Sequence, residues 1–365
     1  MLMKKLSVLC LLTLSPILTL IAANKIWVGI NGGGDGMTWT DPLNWDKGVP
    51  SAEDRAYFQN ISDTIVGEGI IEVGQIIVRN FPDDGNNSTK ITFDLNGTLK
   101  TSANFNSSTL LVSLNAQLTL ANGMYEVTGA RAMGTSLGGH LIIESGVQVQ
   151  VIHIVGNTLD GVSTASASGS YENATITNAG TITVGPGFTN GCNVRGNLFN
   201  VAGGKIIIEP SNVLANKGTG LTVNGGVLTN EGTIWVKGGF ATGISTKSNG
   251  TLTNNACAII SSTDGIGDRG FVYFSGGTVT NNGIIISNTN GPICPESTTD
   301  IAAEFIITGP TGETLNYHIN GGTTQELVFD GTDQKITVSN PTTTSMLNLV
   351  SSTNCSFLVL SLIHI

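Results

Sequence analysis

The stretch that decides the fold is Thr177-Asn178-Ala179-Gly180-Thr181-Ile182-Thr183-Val184, because its opening motif returns three more times in the middle of the chain. The further copies begin at Thr229, Thr253 and Thr280, and a degenerate copy begins at Asn200. The motif asparagines, at positions 178, 200, 230, 254 and 281, are 22, 30, 24 and 27 residues apart. That spacing is too long for a hairpin and suits one turn of a stacked β-solenoid. We therefore interpret each copy as one coil.

The run after each motif alternates between the two faces of a strand. In Thr181-Ile182-Thr183-Val184, the period of two places Ile182 and Val184 on one face. Stacked parallel strands, about 4.8 Å apart, pair their backbone groups with the neighbouring coils. Asparagine and glycine tolerate the positive φ of a tight corner, and an asparagine repeated at one corner can hydrogen-bond to its copies above and below. These asparagines are therefore interpreted as structural.

Together these features predict an all-β chain that forms a right-handed parallel β-helix, or β-solenoid, with a Trp-rich N-terminal cap. The hand follows from the crossover rule. The composition agrees, since 48 of the 365 residues are glycine and only 12% are charged, which favours many turns and a core of small aliphatic side chains. At about 25 residues a turn, the chain would form roughly a dozen coils, and we assign the coils to residues 61–320.

Residues 1–23 have the pattern of a secretory signal peptide, with Lys4 and Lys5 ahead of an apolar stretch and small residues at Ala22 and Ala23. A membrane anchor is the alternative, but polar residues and a proline interrupt the apolar stretch. Without the two lysines, the 16 basic residues become 14 against 26 acidic ones, an excess that disfavours nucleic acid and anionic membranes as partners. We expect a secreted or outer-surface protein, cleaved near Ala23, with no membrane span in the mature chain.

Four cysteines remain after export, namely Cys192, Cys257, Cys294 and Cys355. They are widely spaced and contain no C-x-x-C pair, which excludes the usual zinc and iron–sulfur signatures. Cys257 and Cys294 fall in or after neighbouring coils and could form a disulfide, but four cysteines allow three pairings. Buried thiols are the equal alternative.

The segment from Lys25 to Phe58 differs from the coils, because it holds three of the four tryptophans, Trp27, Trp39 and Trp45. The first coil of a solenoid exposes apolar core and free strand edges that have to be covered. We therefore predict a Trp-rich capping module over residues 24–60. An aromatic platform that binds sugar is the alternative.

Two motifs resemble units of large Bacteroidota surface proteins. One is Gly-Asp-Gly-x-x-Trp-x-Asp-Pro-x-Asn-Trp, followed by Gly-Val-Pro and an acidic pair, over residues 34–54; the other is the Phe-Asp-Gly-Thr-x-x-x-Ile strand unit within residues 327–337. The resemblance implies a secreted β-helical or adhesin-like stalk, which in that family is often delivered by type IX secretion through a C-terminal sorting domain. It covers some 30 residues, and no catalytic residues come with it.

The end of the chain lacks the expected sorting domain. Residues 360–365 match a translated sequencing adapter, and residues 321–359 are interpreted as an incomplete β-strand repeat unit. We therefore expect that the reading frame is truncated at its C-terminus. The alternative is a genuine terminal β-strand from Phe357 to Ile363, which is too short to span a bilayer.

Catalysis by a β-helix needs converging carboxylates, or a Ca²⁺ cluster with a basic residue that abstracts a proton. The best acidic cluster contains Asp264 and Asp268, which we interpret as part of a polar loop. A structural Ca²⁺ at Asp264 and Asp268 is the alternative, although their spacing matches neither an EF-hand nor the glycine-rich calcium repeat. No nucleophile elbow, P-loop or dinucleotide motif is present. We expect no catalytic residues and no cofactor.

The binding candidates are aromatic. The strand alternation places Trp235 outward, and Tyr273 can follow the same pattern. Exposed aromatic rings on a flat face can stack on sugars, although a covering loop is the alternative.

We predict a non-catalytic, exported β-solenoid stalk of an adhesin-like protein, with glycans or surface proteins as partners. A glycan-binding module and, less favoured, a polysaccharide lyase or hydrolase are the alternatives. The sequence leaves the ligand and the oligomeric state open.

Overall fold

The chain folds as a β-solenoid of about eight turns and contains no α-helix among the described residues. A computed structural model describes residues 22–80, 89–102, 108–154, 160–164, 173–209, 218–237, 240, 242–263, 272–274, 277–288, 302–319, 321–339, 347–353 and 355–362. The predicted fold class is confirmed, but the number of turns is lower than the expected dozen. Among the described residues, those around the three N-terminal tryptophans and those from residue 302 onward form packed units that are not coils.

In chain order, the elements are β1 (Asn24–Ile26), 3₁₀ helices η1 (Gly29–Gly32) and η2 (Pro42–Asn44), β2 (Arg55–Gln59), β3 (Ser62–Val73), β4 (Gln75–Arg79), β5 (Lys90–Thr101), β6 (Leu110–Ser113), β7 (Gln117–Gly129), β8 (Met133–Thr135), β9 (His140–Ile143), β10 (Gln148–His153), β11 (Asp160–Ser163), β12 (Thr175–Asn178), β13 (Thr181–Val184), β14 (Asn190–Val194), β15 (Asn197–Asn200), β16 (Lys205–Ile208), β17 (Thr219–Asn224), β18 (Val227–Asn230), β19 (Thr233–Lys237), β20 (Thr242–Lys247), β21 (Thr251–Asn254), β22 (Ile259–Thr263), β23 (Val272–Phe274), β24 (Thr278–Asn281), β25 (Ile284–Asn288), β26 (Ala302–Thr308), β27 (Thr314–Ile319), β28 (Gln325–Val328), β29 (Gln334–Ser339), β30 (Leu347–Ser352) and β31 (Cys355–Leu362).

Each coil contributes one strand to a first sheet and one or two strands to a second. The first sheet, sheet A, is parallel in the order β1-β2-β4-β6-β8-β11-β14-β17-β20-β23. In the second sheet, the long strands β3, β5 and β7 are followed by pairs of short strands that form two arms. The first arm is β9, β12, β15, β18, β21 and β24, and the second arm is β10, β13, β16, β19, β22 and β25.

One hydrophobic core runs through the stack from Trp27 to Ile260. Ile182 and Val184 are fully buried. Ile234, which is aligned with Ile206 of the neighbouring coil, is buried as well. The alternation predicted from the sequence is therefore confirmed. Because equivalent aliphatic side chains meet in successive coils, each coil packs on its neighbours as the repeat pattern requires.

The repeated asparagines form an internal ladder at the corner between the two arms. Each Nδ2 donates to the Oδ1 of the asparagine in the next coil. The donor–acceptor distances are 2.8 Å from Asn178 to Asn200, 2.7 Å from Asn200 to Asn230, 2.8 Å from Asn230 to Asn254 and 2.8 Å from Asn254 to Asn281. The first four asparagines have no exposed surface. The predicted structural role is therefore confirmed, including that of the degenerate copy at Asn200.

The two ends of the ladder are different. Asn178 is aligned with Ile143 in the preceding coil, and its Oδ1 has no hydrogen-bond partner among the described residues. At the other end, Asn281 Nδ2 donates to the Thr308 carbonyl at 3.4 Å. The ladder thus begins where an aliphatic residue occupies the corner and ends on the backbone of β26.

Parallel stacking ends at β25, ahead of the expected boundary at residue 320. β26 pairs antiparallel with β25, and β29 pairs antiparallel with β26. A third sheet is antiparallel in the order β28-β27-β30-β31. Together these strands enclose a second core, which contains Ile259, Ile284, Ile286, Phe305, Ile307, Leu315, Tyr317, Phe329, Ile336, Leu347 and Leu349.

The second core includes the start of the motif within residues 327–337, because Phe329 is buried. Residues 321–359, predicted as an incomplete repeat, thus contribute to the antiparallel unit. β31 places residues 360–362 in a strand, whereas residues 363–365 lie outside the described residues. The adapter origin of residues 360–365 stays a prediction.

Residues 1–21 lie outside the described residues, so the signal peptide stays a prediction. Within the part of the chain that is described, no helix is long and apolar enough to cross a membrane. The right-handed coiling also stays a prediction that follows from the crossover rule.

Replacing one ladder asparagine should destabilise the solenoid. Asn230→Ala removes the donor to Asn254 Oδ1 and leaves that acceptor unpaired in the interior, which costs on the order of 2–4 kcal/mol of unfolding free energy. Urea unfolding followed by far-UV circular dichroism measures the loss. The matched control is Asn255→Ala, which removes only a surface contact to Glu231 and should change stability by less than about 0.5 kcal/mol. Equal losses for the two variants would contradict the role of the ladder.

Candidate functional site

Trp235 lies on the outward face of β19, as the alternation predicts. Its neighbours Ile234 and Val236 are buried in the solenoid core, whereas the indole is half-buried and packs against the edge of the second core. Its register partners are Ile207 in β16 and Ser261 in β22. The second core therefore limits how much of the outward face around Trp235 is open.

A lysine occupies one face of the Trp235 ring. Lys237 Nζ lies 4.5 Å from the ring centroid and also donates to Glu209 Oε1 at 2.8 Å. A cation over an indole face is a favourable electrostatic contact. A sugar that stacks on this face would have to displace the ammonium group, so the geometry favours a packing role for Trp235 over an open sugar platform.

The structure does not bring the two aromatic candidates together. Tyr273 belongs to β23 in sheet A, where its register partner is Ser245, whereas Trp235 belongs to the second sheet. The Tyr273 side chain lies outside the described residues. The two aromatics therefore do not form one continuous stacking surface.

The acidic candidates Asp264 and Asp268 lie outside the described residues. Calcium at this position stays a prediction. Among the described residues, no group of three or more His, Cys, Asp or Glu side chains is arranged to hold a metal ion. His140 Nε2 lies 3.0 Å from Thr177 Oγ1, and burial lowers the pKa of His140.

The two cysteines whose side chains are described are in different states. Cys192 is a free thiol with no exposed surface, and its pKa is raised to about 12, first by burial and then by the charge of Asp160. Cys257 is disulfide-bonded. Cys294 and the side chain of Cys355 lie outside the described residues. Because Cys192 is free, it takes no part in a disulfide.

The tryptophans of the N-terminal cap form a core. Trp27, Trp39 and Trp45 are 1%, 1% and 3% exposed, and the Trp27 and Trp39 rings each meet the Trp45 ring at a centroid distance of 5.0 Å. Two of the three indole N–H groups donate hydrogen bonds. Trp27 Nε1 donates to Asp63 Oδ2 at 2.8 Å, and Trp45 Nε1 donates to the Trp39 carbonyl at 2.9 Å. These tryptophans are therefore core residues and do not form an exposed sugar platform, whereas the capping module over residues 24–60 stays a prediction.

The polar residues of the first motif hold this cap together. Asp35 accepts hydrogen bonds from the Met37 and Thr38 backbone amides, each at 2.8 Å, and from Asn44 Nδ2 at 2.7 Å. Asp41 accepts from the Leu43 amide at 3.0 Å and so caps η2. Hydrogen bonds, the strongest from the Thr38 side chain, hold the pKa of Asp35 far below its ordinary value. The motif residues are therefore structural.

One of the motif glycines is required by space. A Cβ atom at position 34 would lie 2.2 Å from Asn44 Oδ1, which is closer than any side chain can approach. The spacing of Gly34 and Asn44 in the motif therefore has a direct steric cause.

Two open concavities were not apparent from motif reasoning. One is a groove of about 660 Å³ at the corner between sheet A and the first arm, lined by Asn173, Arg195, Gly196, Asn197, Asn224, Gly225, Gly226, Val227 and Ser248. The other is a cleft of about 470 Å³ between the cap and the first coils, lined by Thr38, Thr40, Val66, Gly67, Glu68, Asp94, Asn96 and Asn122. No short sequence motif predicts the groove or the cleft. The number of residues at the corner between sheet A and the first arm differs from coil to coil, and this difference is the sequence signal for the groove.

Comparisons with protein-family models, curated proteins and solved structures find no match to this chain. The β-solenoid is shown by the structure itself. The resemblance to Bacteroidota surface proteins and the type IX secretion that it implies stay predictions carried by the two motifs.

The low pKa of Asp35 has a testable cause. Because the pKa is depressed in the folded state, the stabilisation from Asp35 is present above the ordinary aspartate pKa and is lost only as the pH falls through the folded-state value. A carboxyl ¹³C titration should show a midpoint below the ordinary value. Thr38→Val removes the strongest donor and should raise that midpoint, whereas Thr40→Val should leave it unchanged. A midpoint at the ordinary value in the unmodified protein would contradict the hydrogen-bond network.

Trp235 should contribute to stability and not to sugar binding. Trp235→Ala removes the contacts with Lys237 and the second core, and we expect a loss of about 1–3 kcal/mol in unfolding free energy. Retention on immobilised glycans should stay unchanged. Thr183→Ala, at the same outward register column, is the control and should change stability by less than about 0.5 kcal/mol. Lost retention with unchanged stability would instead support a sugar platform at Trp235.

Proposed function

We propose that this chain is a non-catalytic β-solenoid stalk of an exported, adhesin-like surface protein. The observation that carries the proposal is the stack of parallel coils, which share one core and, from Asn178 to Asn281, an amide ladder at the corner between the two arms. Such a stack is suited to hold other surfaces at a distance, because each coil is fixed by backbone hydrogen bonds to both neighbours.

The dimensions support a spacer role. About eight turns at about 4.8 Å per turn give a rod roughly 40 Å long. Its N-terminal end is covered by the tryptophan core, and the second arm is covered at its other end by β26. Covered ends protect strand edges from pairing with other molecules.

The outward side of the first arm supports a non-catalytic role. One register column there carries Ile142, Thr177, Phe199, Thr229, Thr253 and Thr280, and it continues into the long strands as Thr119, Thr92 and Thr64. Polysaccharide cleavage needs acid and base groups that converge on the sugar bond. Seven of these nine positions are threonine, which offers hydroxyl and methyl groups in place of titratable side chains in this column.

Export can be tested by placing an epitope tag after Leu362 and expressing the chain in a Bacteroidota host. If the proposal is correct, cell fractionation finds the tagged chain in the periplasm, on the cell surface or in the medium. A variant without residues 2–21 should stay in the cytoplasm. Retention of the full-length chain in the cytoplasm would overturn the proposal.

The proposed lack of catalytic activity is tested separately. The purified chain is incubated with acidic and neutral polysaccharides, and new reducing ends and unsaturated products are measured against heat-denatured protein. The expected result is no product above that control. Turnover that depends on folded protein would favour the lyase or hydrolase alternative.

A further inference from the structure

The outward face of the first arm carries two neighbouring register columns in its last three coils. In β18 and β21 the residue between the two columns, Leu228 or Leu252, is buried in the core, so its neighbours on either side point outward. The outward positions of β18, β21 and β24, here called the threonine array, are Val227, Thr229, Thr251, Thr253, Thr278 and Thr280. Five of the six are threonine, and valine has nearly the same branched shape.

The five hydroxyl groups of the threonine array are free. No hydrogen bond of any of these threonine side chains is found in the structure, and all five residues are partly or fully exposed. Earlier in the same column the situation differs, because Thr177 Oγ1 lies 3.0 Å from His140 Nε2. A β-branched side chain on a strand has few χ1 rotamers, so the free hydroxyl groups are held in place before any ligand binds and little ordering is required.

The threonine array carries no charge. None of its six positions holds an acidic or basic residue, and the coil before it adds the uncharged Asn197 and Phe199 to the same two columns. Such a face gives no electrostatic attraction to an ionic ligand. Each threonine instead offers a hydroxyl, which can donate and accept, beside a methyl group. This chemistry favours an uncharged ligand whose own hydrogen-bonding groups recur in two dimensions.

The register fixes the spacing of the array in both directions. Equivalent residues in successive coils, such as Thr229 and Thr253, lie about 4.8 Å apart. The two outward residues of one strand, such as Thr251 and Thr253, are two residues apart, which is about 6.6 Å along a parallel strand.

Ice presents oxygen atoms at nearly these spacings. With O–H···O distances of about 2.75 Å and tetrahedral angles, second-neighbour oxygen atoms are about 4.5 Å apart. The repeat perpendicular to the puckered layers of the same lattice is about 7.3 Å. Each value differs from the matching spacing of the array by about a tenth or less. Across three coils the difference in the stacking direction adds up to about 0.6 Å, which is well below one hydrogen-bond length.

We propose that the threonine array binds the surface of ice. The hydroxyl groups take the positions of lattice oxygen atoms, and the methyl groups fill the spaces between them. An ice surface held at separate points by bound protein has to curve outward between these points, which lowers the temperature at which it grows. This binding goes beyond the stalk function and does not depend on export or on where the protein is located.

Slow freezing of a dilute solution of the full chain tests the proposal, with serum albumin in the same solution as the internal control. The chain should enter the growing ice while albumin stays in the liquid, and small ice crystals should stop growing over an interval below their melting point. Exclusion of the folded chain from ice to the same extent as albumin would overturn the proposal. Sedimentation with microcrystalline cellulose together with exclusion from ice would instead assign the array to a crystalline polysaccharide.

Variants locate the binding. Thr253→Glu places a carboxylate in the middle coil of the array and should lower the fraction in ice by about tenfold, because a carboxylate held against the lattice loses hydration. Thr280→Glu, at an exposed position of the last coil, should act in the same direction and is the variant less able to disturb folding. Thr183→Glu makes the same change at a partly exposed position of the second arm and should leave the fraction unchanged.

Circular dichroism and thermal melting identify the variants that are folded. An unchanged fraction in ice for a folded Thr253→Glu or Thr280→Glu variant would overturn the assignment to the threonine array. An equal loss in the Thr183→Glu control would overturn it as well.

Discussion

A buried side-chain amide needs hydrogen-bond partners for both its N–H groups and its carbonyl oxygen. The solenoid depends on the asparagine ladder that supplies these partners. Removing a carboxamide from water without partners costs several kcal/mol, of which hydrogen bonds in the interior recover a large part. In the solenoid, each asparagine of the ladder finds its partner in the same residue of the next coil. The residue before each asparagine is a threonine or, at position 199, a phenylalanine, and a shift by one residue turns the neighbouring side chain to the other face of the strand. The ladder therefore favours the register in which asparagine meets asparagine.

The same constraint explains how the stack begins and ends. Toward the N-terminus the ladder column continues as Ile143 and Leu120, so the early coils rely on apolar packing and on the long strands β3, β5 and β7. Their first coil is closed by the tryptophan cap, whose loops are held by Asp35 and Asp41. Toward the C-terminus Asn281 donates to the backbone of β26, where the chain changes from parallel to antiparallel pairing.

The sequence predicted those parts of the fold that repeat. The Thr-Asn motif contains both the corner asparagine and the alternating strand, so the ladder, the buried Ile182 and Val184, and the outward position of Trp235 followed from it. The early coils lack that motif, and the antiparallel unit around Phe329 depends on contacts between segments with different patterns. Counting residues per turn therefore overestimated the number of coils.

The candidate site was harder to predict than the fold. Trp235 was expected to point outward, either open or covered by a loop. Lys237 and the second core contact it instead, and neither contact can be predicted from the strand itself. The corner groove depends on small differences in connection length between repeats that look alike. Such differences become visible only when Val194, Val223 and Thr246 are aligned by register.

The in-register stacking of the coils is tested most directly by disulfide trapping between outward threonines of the first arm. Thr229 and Thr253 are register partners in adjacent coils, about 4.8 Å apart, which is within the reach of a disulfide. Thr280 lies one coil farther on. Under mild oxidation, followed by peptide mass spectrometry, the Thr229→Cys/Thr253→Cys pair should form the bond and the Thr229→Cys/Thr280→Cys pair should not. A bond in the second pair with none in the first would contradict the register, and with it the amide ladder.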